Sequence, residues 1–356
     1  MRRLVRMDGL RGVLAVYVML GHVLPLAVVP GAVASLFSHG EAAVDLFFAL
    51  SGLVIVNSLE RFGQHFSPFM AARAWRLLPV YFVVLALSIW LMGWGDPLSA
   101  LPWAGGTARQ IVAPGLPVPL WPHVAAHLVL LQGLIPQNWL PYAYVTLLGP
   151  AWSLSTEWQF YLLVGLIAPR RLGRLALAML GVAVLYRLLL ATDMPPPGLF
   201  SRAFLPEAAS WFALGLASAV WLRGGGAGLF VLCLGVTCLL ADAVAPAKAL
   251  VPLAWAGVML AQTRPWGRIL EHPVLRYLGA ISYPLYLVNE PVARAVALYL
   301  GPLARGRAVW FSMWYLPCAL LLSCLAAMVL HHGVERVFTR SHKNTAARMI
   351  APAASQ

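Results

Sequence analysis

The chain has 356 residues, of which 61% are hydrophobic and 10% charged, and its mean hydropathy is +0.79. Soluble domains average about 45–50% apolar and about 25% charged residues, so this composition excludes a soluble globular protein and indicates a membrane protein. The excess of 25 basic over 12 acidic residues fits an anionic membrane surface, and it does not require a nucleic-acid partner.

Apolar stretches long enough to cross a bilayer as a helix recur along the whole chain. They predict an all-α integral membrane protein of about ten spans, at residues 11–30, 42–60, 77–94, 151–168, 175–192, 207–222, 227–243, 249–263, 279–299 and 309–331. We expect one membrane domain over residues 1–340 and a short cytoplasmic tail at 341–356. The four cysteines lie inside apolar runs without disulfide or zinc spacing, so we interpret them as packing residues.

The distribution of Arg and Lys predicts how the spans are oriented. With the N terminus in the cytoplasm, 18 of the 25 basic residues fall inside, and two lie within spans, Arg187 and Arg294. Those outside are Arg109, Arg202, Lys248, Arg305 and Arg307. An even number of spans then places both termini in the cytoplasm.

The same orientation makes residues 95–150 one long external segment, in which 124–135 forms a re-entrant or interfacial helix. A segment of this length is expected to be a lid or a binding surface. Its aromatic residues suit sugar rings or a hydrophobic aglycone, and they equally suit the membrane interface. They are Trp103, Trp121, Trp139, Tyr142 and Tyr144.

Polar groups inside spans are energetically costly and usually face a cavity or a partner. Arg11 and His22 are eleven residues apart, which places them on one face of the first span with a rise of about 16 Å. Arg11 would lie at the cytoplasmic mouth and His22 near or beyond mid-membrane. The alternatives are that His22 bonds a neighbouring helix and that Arg11 extends to lipid phosphates.

Two carboxylates approach the predicted depth of His22. Asp45 lies near the outer start of the second span, and Glu157 lies about one and a half turns below the outer start of the fourth. A carboxylate bonded to one imidazole nitrogen makes the other nitrogen a better base, as general-base catalysis requires. Alternatively, Asp45 caps a helix and Glu157 makes a structural hydrogen bond.

Two further pairs have suggestive spacing. Arg73 and Arg76 begin the third span three residues apart, so they either grip phosphates from the inside or are ordinary cytoplasmic charges. His123 and His127 have the i, i+4 spacing of a metal pair, but no glutamate lies between them and no third ligand is evident. We therefore expect no metal site.

Several segments, in this order and spacing, cover most of the chain and resemble membrane-bound acyltransferase family 3. The arginine, ten residues and histidine of that family match Arg11 and His22, within Met-Asp-Gly-Leu-Arg-Gly-Val-Leu-Ala at 7–15 and Gly-His at 21–22. The other matching segments are Val-Asp-Leu-Phe-Phe-Ala-Leu-Ser-Gly at 44–52, the pair Arg73 and Arg76, Trp-Ser-Leu-Ser-Thr-Glu at 152–157, Gln-Phe-Tyr at 159–161 and Ile-Ser-Tyr-Pro-Leu-Tyr-Leu at 281–287.

The resemblance implies a ten-helix enzyme of the bacterial cytoplasmic (inner) membrane, surrounded by membrane lipid. It would be an acyl-CoA-dependent O-acyltransferase that moves an acyl group, commonly acetyl, from cytoplasmic acyl-CoA to a hydroxyl of a carbohydrate or glycosylated acceptor. No bound cofactor is implied, because acyl-CoA is a co-substrate. The esterase-like domain of some members is missing, so the membrane domain would acylate the acceptor directly.

The resemblance implies roles for several of the polar residues described above. Arg11, Arg73 and Arg76 would hold the CoA phosphates, and His22 would be the general base, oriented by Asp45 or Glu157. The candidates for oxyanion or acceptor contacts are Ser51, Ser153, Ser155 and Asn289. An acyl-histidine relay is the alternative to direct transfer.

The chain departs from the family pattern at two positions. Many members have a second glutamate where this chain has Trp158, and many have a histidine where it has Asn289. We expect these differences to affect acceptor or acyl-chain preference. The competing functions are a transporter, although no repeat is visible, and a catalytically degenerate partner of a polysaccharide-modifying system, which the intact arginines and His22 disfavour.

Overall fold

The computed structural model describes residues 5–167, 171–192 and 199–340, and the predicted tail at 341–356 lies outside these ranges. The protein is all-helical, with 79% helix and no strand in the described ranges. These ranges contain ten helices of at least 14 residues: α1 Val5–Val23, α2 Gly40–Arg61, α3 Phe66–Met92, α4 Ala151–Ile167, α5 Leu172–Ala191, α6 Leu205–Leu222, α7 Ala227–Asp242, α8 Leu250–Thr263, α9 Ser282–Ala304 and α10 Ala308–Leu330.

Each predicted span overlaps one of these helices, although α1 begins six residues before the predicted 11–30 and α3 eleven residues before the predicted 77–94. Six segments are long and apolar enough to cross a membrane, namely those that contain α1, α2, α3, α5, α6 and α10. The helices α4, α7 and α8 have 17, 16 and 14 residues, and α9 carries the charged Glu290 and Arg294. Six spans are therefore supported by length and composition, and ten crossings remain a prediction.

Glycines allow two helices next to the site to pack closely. Gly52 of α2 lies against the backbone of α6 at Phe212, and Gly215 of α6 lies against the backbone of α2 at Ala49. A methyl group at either glycine would overlap backbone atoms of the other helix. Small residues let helix backbones approach closely, so this contact fixes the position of Ser51, the neighbour of Gly52.

The region 95–150 is folded onto the helix ends by buried polar side chains. Arg294 of α9 donates hydrogen bonds to the carbonyls of Leu91 at 3.3 Å, Gly95 at 2.6 Å and Ala113 at 2.6 Å. Trp103 donates to the carbonyl of Leu26 at 3.1 Å. The long segment is therefore anchored to α3, α9 and the end of α1, and short helices occupy 106–111 and 120–128.

The predicted helix at 124–135 starts earlier and ends sooner than expected. It spans Leu120–Leu128 and follows Pro119, in keeping with the preference of helix starts for proline. Leu130 has a φ of 56°, which no regular helix accommodates, so the chain turns before a short 3-10 turn at Gln132–Leu134. Of the aromatic residues, Trp103 and Tyr144 are half-buried, whereas Trp121, Trp139 and Tyr142 are exposed.

The predicted orientation can be tested with the two lysines of the chain, Lys248 and Lys343. We expect Lys248 outside and Lys343 inside, because positive charge concentrates on the cytoplasmic side. An impermeant amine-reactive reagent should then label Lys248 in intact cells and Lys343 only after permeabilisation, as measured by mass spectrometry of the two peptides. The reverse pattern would contradict the orientation.

Candidate functional site

Three predicted arginines and Glu157 line one cavity, which we call the arginine cavity. It has a volume of about 80 Å³, and its charged lining residues are Arg11 of α1, Arg73 and Arg76 of α3, and Glu157 of α4. Ser51 of α2 and Ser153 of α4 also line it. Residues far apart in the sequence thus meet at one place, as the predicted phosphate-binding role of the arginines requires.

The arginines carry more positive charge than the lining carboxylate balances. Arg73 is buried, and its guanidinium lies 4.9 Å from the ring centroid of Tyr161 and 5.8 Å from that of Phe69. The Nε atoms of Arg11 and Arg73 are buried without a hydrogen-bond partner in the described part of the chain. Buried donors of this kind favour an anionic ligand, since phosphate oxygens pair well with guanidinium groups.

Glu157 is held by hydroxyl groups and does not contact the histidine. Its Oε1 accepts hydrogen bonds from Ser51 Oγ and Tyr161 OH. Ser153, Glu157 and Tyr161 are four residues apart in turn, so they share one face of α4. On the same face, Ser153 Oγ and the Tyr286 hydroxyl are 2.7 Å apart.

His22 is paired with Asn289 of α9. Its Nδ1 lies 2.7 Å from Asn289 Oδ1, while Asn289 Nδ2 donates to the carbonyls of Leu285 and Tyr286, both at 2.8 Å. Since the amide nitrogen is committed to two carbonyls, its oxygen faces the imidazole and Nδ1 carries the proton. The lone pair of neutral His22 is therefore on Nε2, the state of a general base.

This pairing corrects the expected orienting residue, which was Asp45 or Glu157. Asp45 is seven residues from Gly52 and shares its face of α2, so it faces α6. Its Oδ2 lies 3.3 Å from Lys248 Nζ. Asp45 is also no helix cap, because α2 starts at Gly40. Asn289, which we expected only as an oxyanion or acceptor contact, is the residue that orients the imidazole.

The three serines expected as oxyanion or acceptor contacts lie in two different places. Ser51 and Ser153 line the arginine cavity, next to the predicted donor site. Ser155 instead accepts a hydrogen bond from the amide of Gly133 at 3.1 Å. Ser155 therefore holds the external segment on α4 and lies away from the arginine cavity.

A second group of charged residues was not expected as a site. Asp45 lines a separate cavity together with Glu41, Arg187, Arg202, Glu207 and Lys248. In the sequence, Arg202 and Lys248 counted only as outside charges. Only the position of Arg187 could have indicated this site from the sequence, because a charge within a span usually has a partner. In the structure that partner is Glu207, at 3.0 Å.

His123 and His127 anchor the external segment. His127 Nε2 lies 3.0 Å from the carbonyl of Ala143 and so must be the donor, while its Nδ1 lies 3.2 Å from the Tyr81 hydroxyl. His123 Nδ1 lies 2.9 Å from Thr146 Oγ1. These hydrogen bonds assign the two histidines a packing role, and the described residues contain no cluster of three or more His, Cys, Asp or Glu able to hold a metal ion.

The comparison with known families decides the identity of the protein. The model of the acyltransferase family 3 domain, an acyltransferase domain, matches residues 4–332. The chain belongs to this family. The match includes every residue of the arginine cavity together with His22 and Asn289, and membership makes the protein a membrane acyltransferase. No curated protein and no solved structure matches the chain.

The histidine of the external segment predicts a pH dependence. Burial lowers the pKa of His127 from its ordinary value of 6.5 to about 4, with His123 acting in the same direction and the bond to Ala143 opposing it. Between these two values a detached segment binds a proton that the docked segment does not, so docking weakens as the pH falls from about 6.5 to 4.

We expect hydrogen–deuterium exchange of residues 120–150, corrected for intrinsic rates, to rise by roughly tenfold or more between pH 7 and pH 5. In His127→Gln the side chain does not titrate, and this rise should largely disappear. The same rise in both proteins would contradict the assignment to His127.

Proposed function

We propose that the protein is a membrane O-acyltransferase that moves an acyl group, acetyl in the simplest case, from cytoplasmic acyl-CoA to a hydroxyl of a carbohydrate or glycosylated acceptor. The single observation that carries this proposal is the hydrogen bond between His22 and Asn289. His22 lies on α1, the helix that also contributes Arg11 to the arginine cavity. It combines a poised base with an anion-binding site inside a family of acyltransferases.

The arginine cavity supports an anionic acyl donor. Three guanidinium groups face one lining carboxylate, Glu157, so the cavity is positive and suits the phosphate groups of CoA. Arg11 lies in this cavity, and His22 lies about 16 Å from Arg11 along α1. The extended arm of CoA would follow this direction and bring the thioester towards the imidazole.

His22 supports general-base catalysis of direct transfer. The acceptor oxygen attacks the thioester carbonyl carbon, and its proton passes to Nε2 of His22. The carbon–sulfur bond then breaks with its electron pair on sulfur, which takes the proton from Nε2. The products are an ester and free CoA. Asn289 keeps the proton on Nδ1 throughout, as the asparagine of a Cys-His-Asn triad does.

The same nitrogen also suits a relay. In that route Nε2 attacks the thioester carbonyl carbon, and the carbon–sulfur bond breaks to leave the CoA thiolate and an acyl-imidazolium that keeps its proton on Nδ1. The acceptor hydroxyl then attacks the acyl carbon, the carbon–nitrogen bond breaks with its electron pair on Nε2, and the hydroxyl proton passes through Nε2 to the thiolate. The products are again an ester and free CoA. Both routes need hydrogen-bond donors for the developing oxyanion. The hydroxyls of Ser153 and Tyr286 are candidates, because they lie 2.7 Å apart in the lining of the arginine cavity. Tyr286 precedes Asn289 by three residues on α9.

We propose a bacterial cytoplasmic membrane as the location, with acyl-CoA bound from the inside and the acceptor outside. The family assignment and the intact site support an active enzyme over the transporter and inactive-partner alternatives. Residues 1–340 would form the acyltransferase domain, and residues 341–356 a short cytoplasmic tail.

The role of His22 predicts the behaviour of His22→Ala. Loss of the base should lower the rate of acyl transfer by roughly 10²–10⁴-fold while acetyl-CoA still binds. The measurement is release of free CoA from acetyl-CoA by the purified protein in nanodiscs, with mass spectrometry for an acyl adduct on the protein. His39→Ala, which removes an exposed histidine, is the control and should retain full activity. Undiminished turnover in His22→Ala would rule out the base role.

The arginine cavity predicts a separate effect on donor binding. Arg73→Ala should weaken acetyl-CoA binding by roughly tenfold to a hundredfold, because a hydrogen bond to a charged group contributes about 1.5–3 kcal/mol. Binding is measured by calorimetry in nanodiscs. Arg109→Ala removes an exposed arginine and should leave the affinity unchanged. Equal affinities in the two variants would refute the phosphate-binding assignment.

A further inference from the structure

The cavity around Asp45, which we call the charged cavity, lies on the other side of α4. It has a volume of about 150 Å³, and helices α2, α4, α5, α6 and α7 contribute to its walls. Trp152 of α4 and Trp211 of α6 provide aromatic surface in it. Pockets for drug-sized ligands occupy about 300–1,000 Å³, so this cavity suits one small unit of a larger molecule.

Six charged groups line the charged cavity and compensate one another in pairs. Arg202 is bonded to Glu41, Arg187 Nη2 lies 3.0 Å from Glu207 Oε1, and Lys248 Nζ lies 3.3 Å from Asp45 Oδ2. Their formal charges sum to zero. This distinguishes the charged cavity from the arginine cavity, where three cations face one lining carboxylate.

We propose that the charged cavity is the subsite for the acyl acceptor and that it binds a neutral, hydroxyl-rich sugar unit. This inference rests on the function proposed above. Hydroxyl groups both donate and accept, so a sugar can bond to carboxylates and guanidinium groups without breaking an ion pair. An ionic ligand would have to displace one partner, and an apolar ligand would take water from these ion pairs without offering hydrogen bonds in its place.

Asp45 supplies the independent sign of a missing ligand. Its side chain is only 9% exposed, and Oδ2 is buried without a hydrogen-bond partner in the described residues. Lys248 makes a charge contact with this oxygen at 3.3 Å. A buried carboxylate oxygen needs a donor, and a sugar hydroxyl in this cavity provides one.

The charged cavity adjoins the arginine cavity, where we propose that the acyl donor binds. Phe48 lines both cavities. Arg202 of the charged cavity lies 4.6 Å from a ring centroid of Trp152. A sugar bound here would approach the donor past the Phe48 and Trp152 side chains, whose ring centroids are 5.9 Å apart.

The lysine in the charged cavity offers a test that does not depend on acyl-CoA. The full-length protein in nanodiscs is treated with an amine-reactive reagent, and labelling of Lys248 and Lys343 is followed by mass spectrometry. The probes are four neutral methyl glycosides, of glucose, galactose, mannose and rhamnose, with glucuronate as the anionic comparison. We expect at least one neutral glycoside to slow Lys248 labelling several-fold at saturation, with Lys343 unaffected.

A matched pair of variants separates binding from general effects. Asp45→Asn should raise the glycoside concentration for half-maximal protection by roughly tenfold or more, since a hydrogen bond to a charged group is lost. Asp242→Asn removes the same charge from an exposed position on α7 and should leave that concentration unchanged. Equal values in the two variants would overturn the proposal.

The remaining outcomes also decide the question. Protection by none of the four neutral glycosides, or by glucuronate alone, would refute a neutral-sugar subsite. Acetyl-CoA binding and CoA release are measured on the same preparation. Their absence alongside intact glycoside protection would reject the proposed acyltransferase function, while their presence without protection would reject only this inference.

Discussion

Unbalanced positive charge inside a helix bundle is the constraint on which the rest of the site depends. Arg11, Arg73 and Arg76 line one cavity, and among the residues that the structure describes Glu157 is its only lining carboxylate. Charges are costly to hold within a membrane protein. Aromatic rings beside Arg73 and the electrostatic influence of Glu157 and Glu335 on Arg11 offset part of this cost. The positive charge that remains unbalanced favours an anion, so the arginine cavity suits the phosphorylated end of a donor.

Helix α4 separates this positive cavity from the neutral one. Ser153, Glu157 and Tyr161 face the arginine cavity, whereas Trp152 faces the charged cavity. Thr156 and Gln159 donate to the carbonyl of Ala203 at 3.0 and 2.9 Å, and these bonds hold the loop that carries Arg202. One short helix therefore gives the two proposed substrates different electrostatic surroundings, positive for the donor and neutral for the acceptor.

Asn289 gives His22 a hydrogen-bond partner that differs from the histidine of many family members and still orients the imidazole. Asn289 stands where many family members have a histidine, and from the sequence alone we expected this difference to affect acceptor or acyl-chain preference. In the structure its amide oxygen bonds His22 Nδ1, so it sets the tautomer that a general base needs. An amide is neutral, so Asn289 stabilises the positive charge of protonated His22 less than a carboxylate in the same place would.

The sequence by itself determined the helical class and the approximate positions of the ten helices, because apolar length and helical periodicity are local properties of the chain. Its resemblance to a known family grouped Arg11, Arg73 and Arg76, but the sequence assigned Glu157 to His22, and the structure places Glu157 with the arginines. Only the tertiary structure decided that His22 pairs with Asn289, that Asp45 faces Lys248, and that Ser155 supports the external segment. These contacts join residues as many as 267 positions apart. Which side chains meet there depends on how α2, α6 and α9 rotate as they pack, and close contacts such as that between Gly52 and Gly215 fix that rotation.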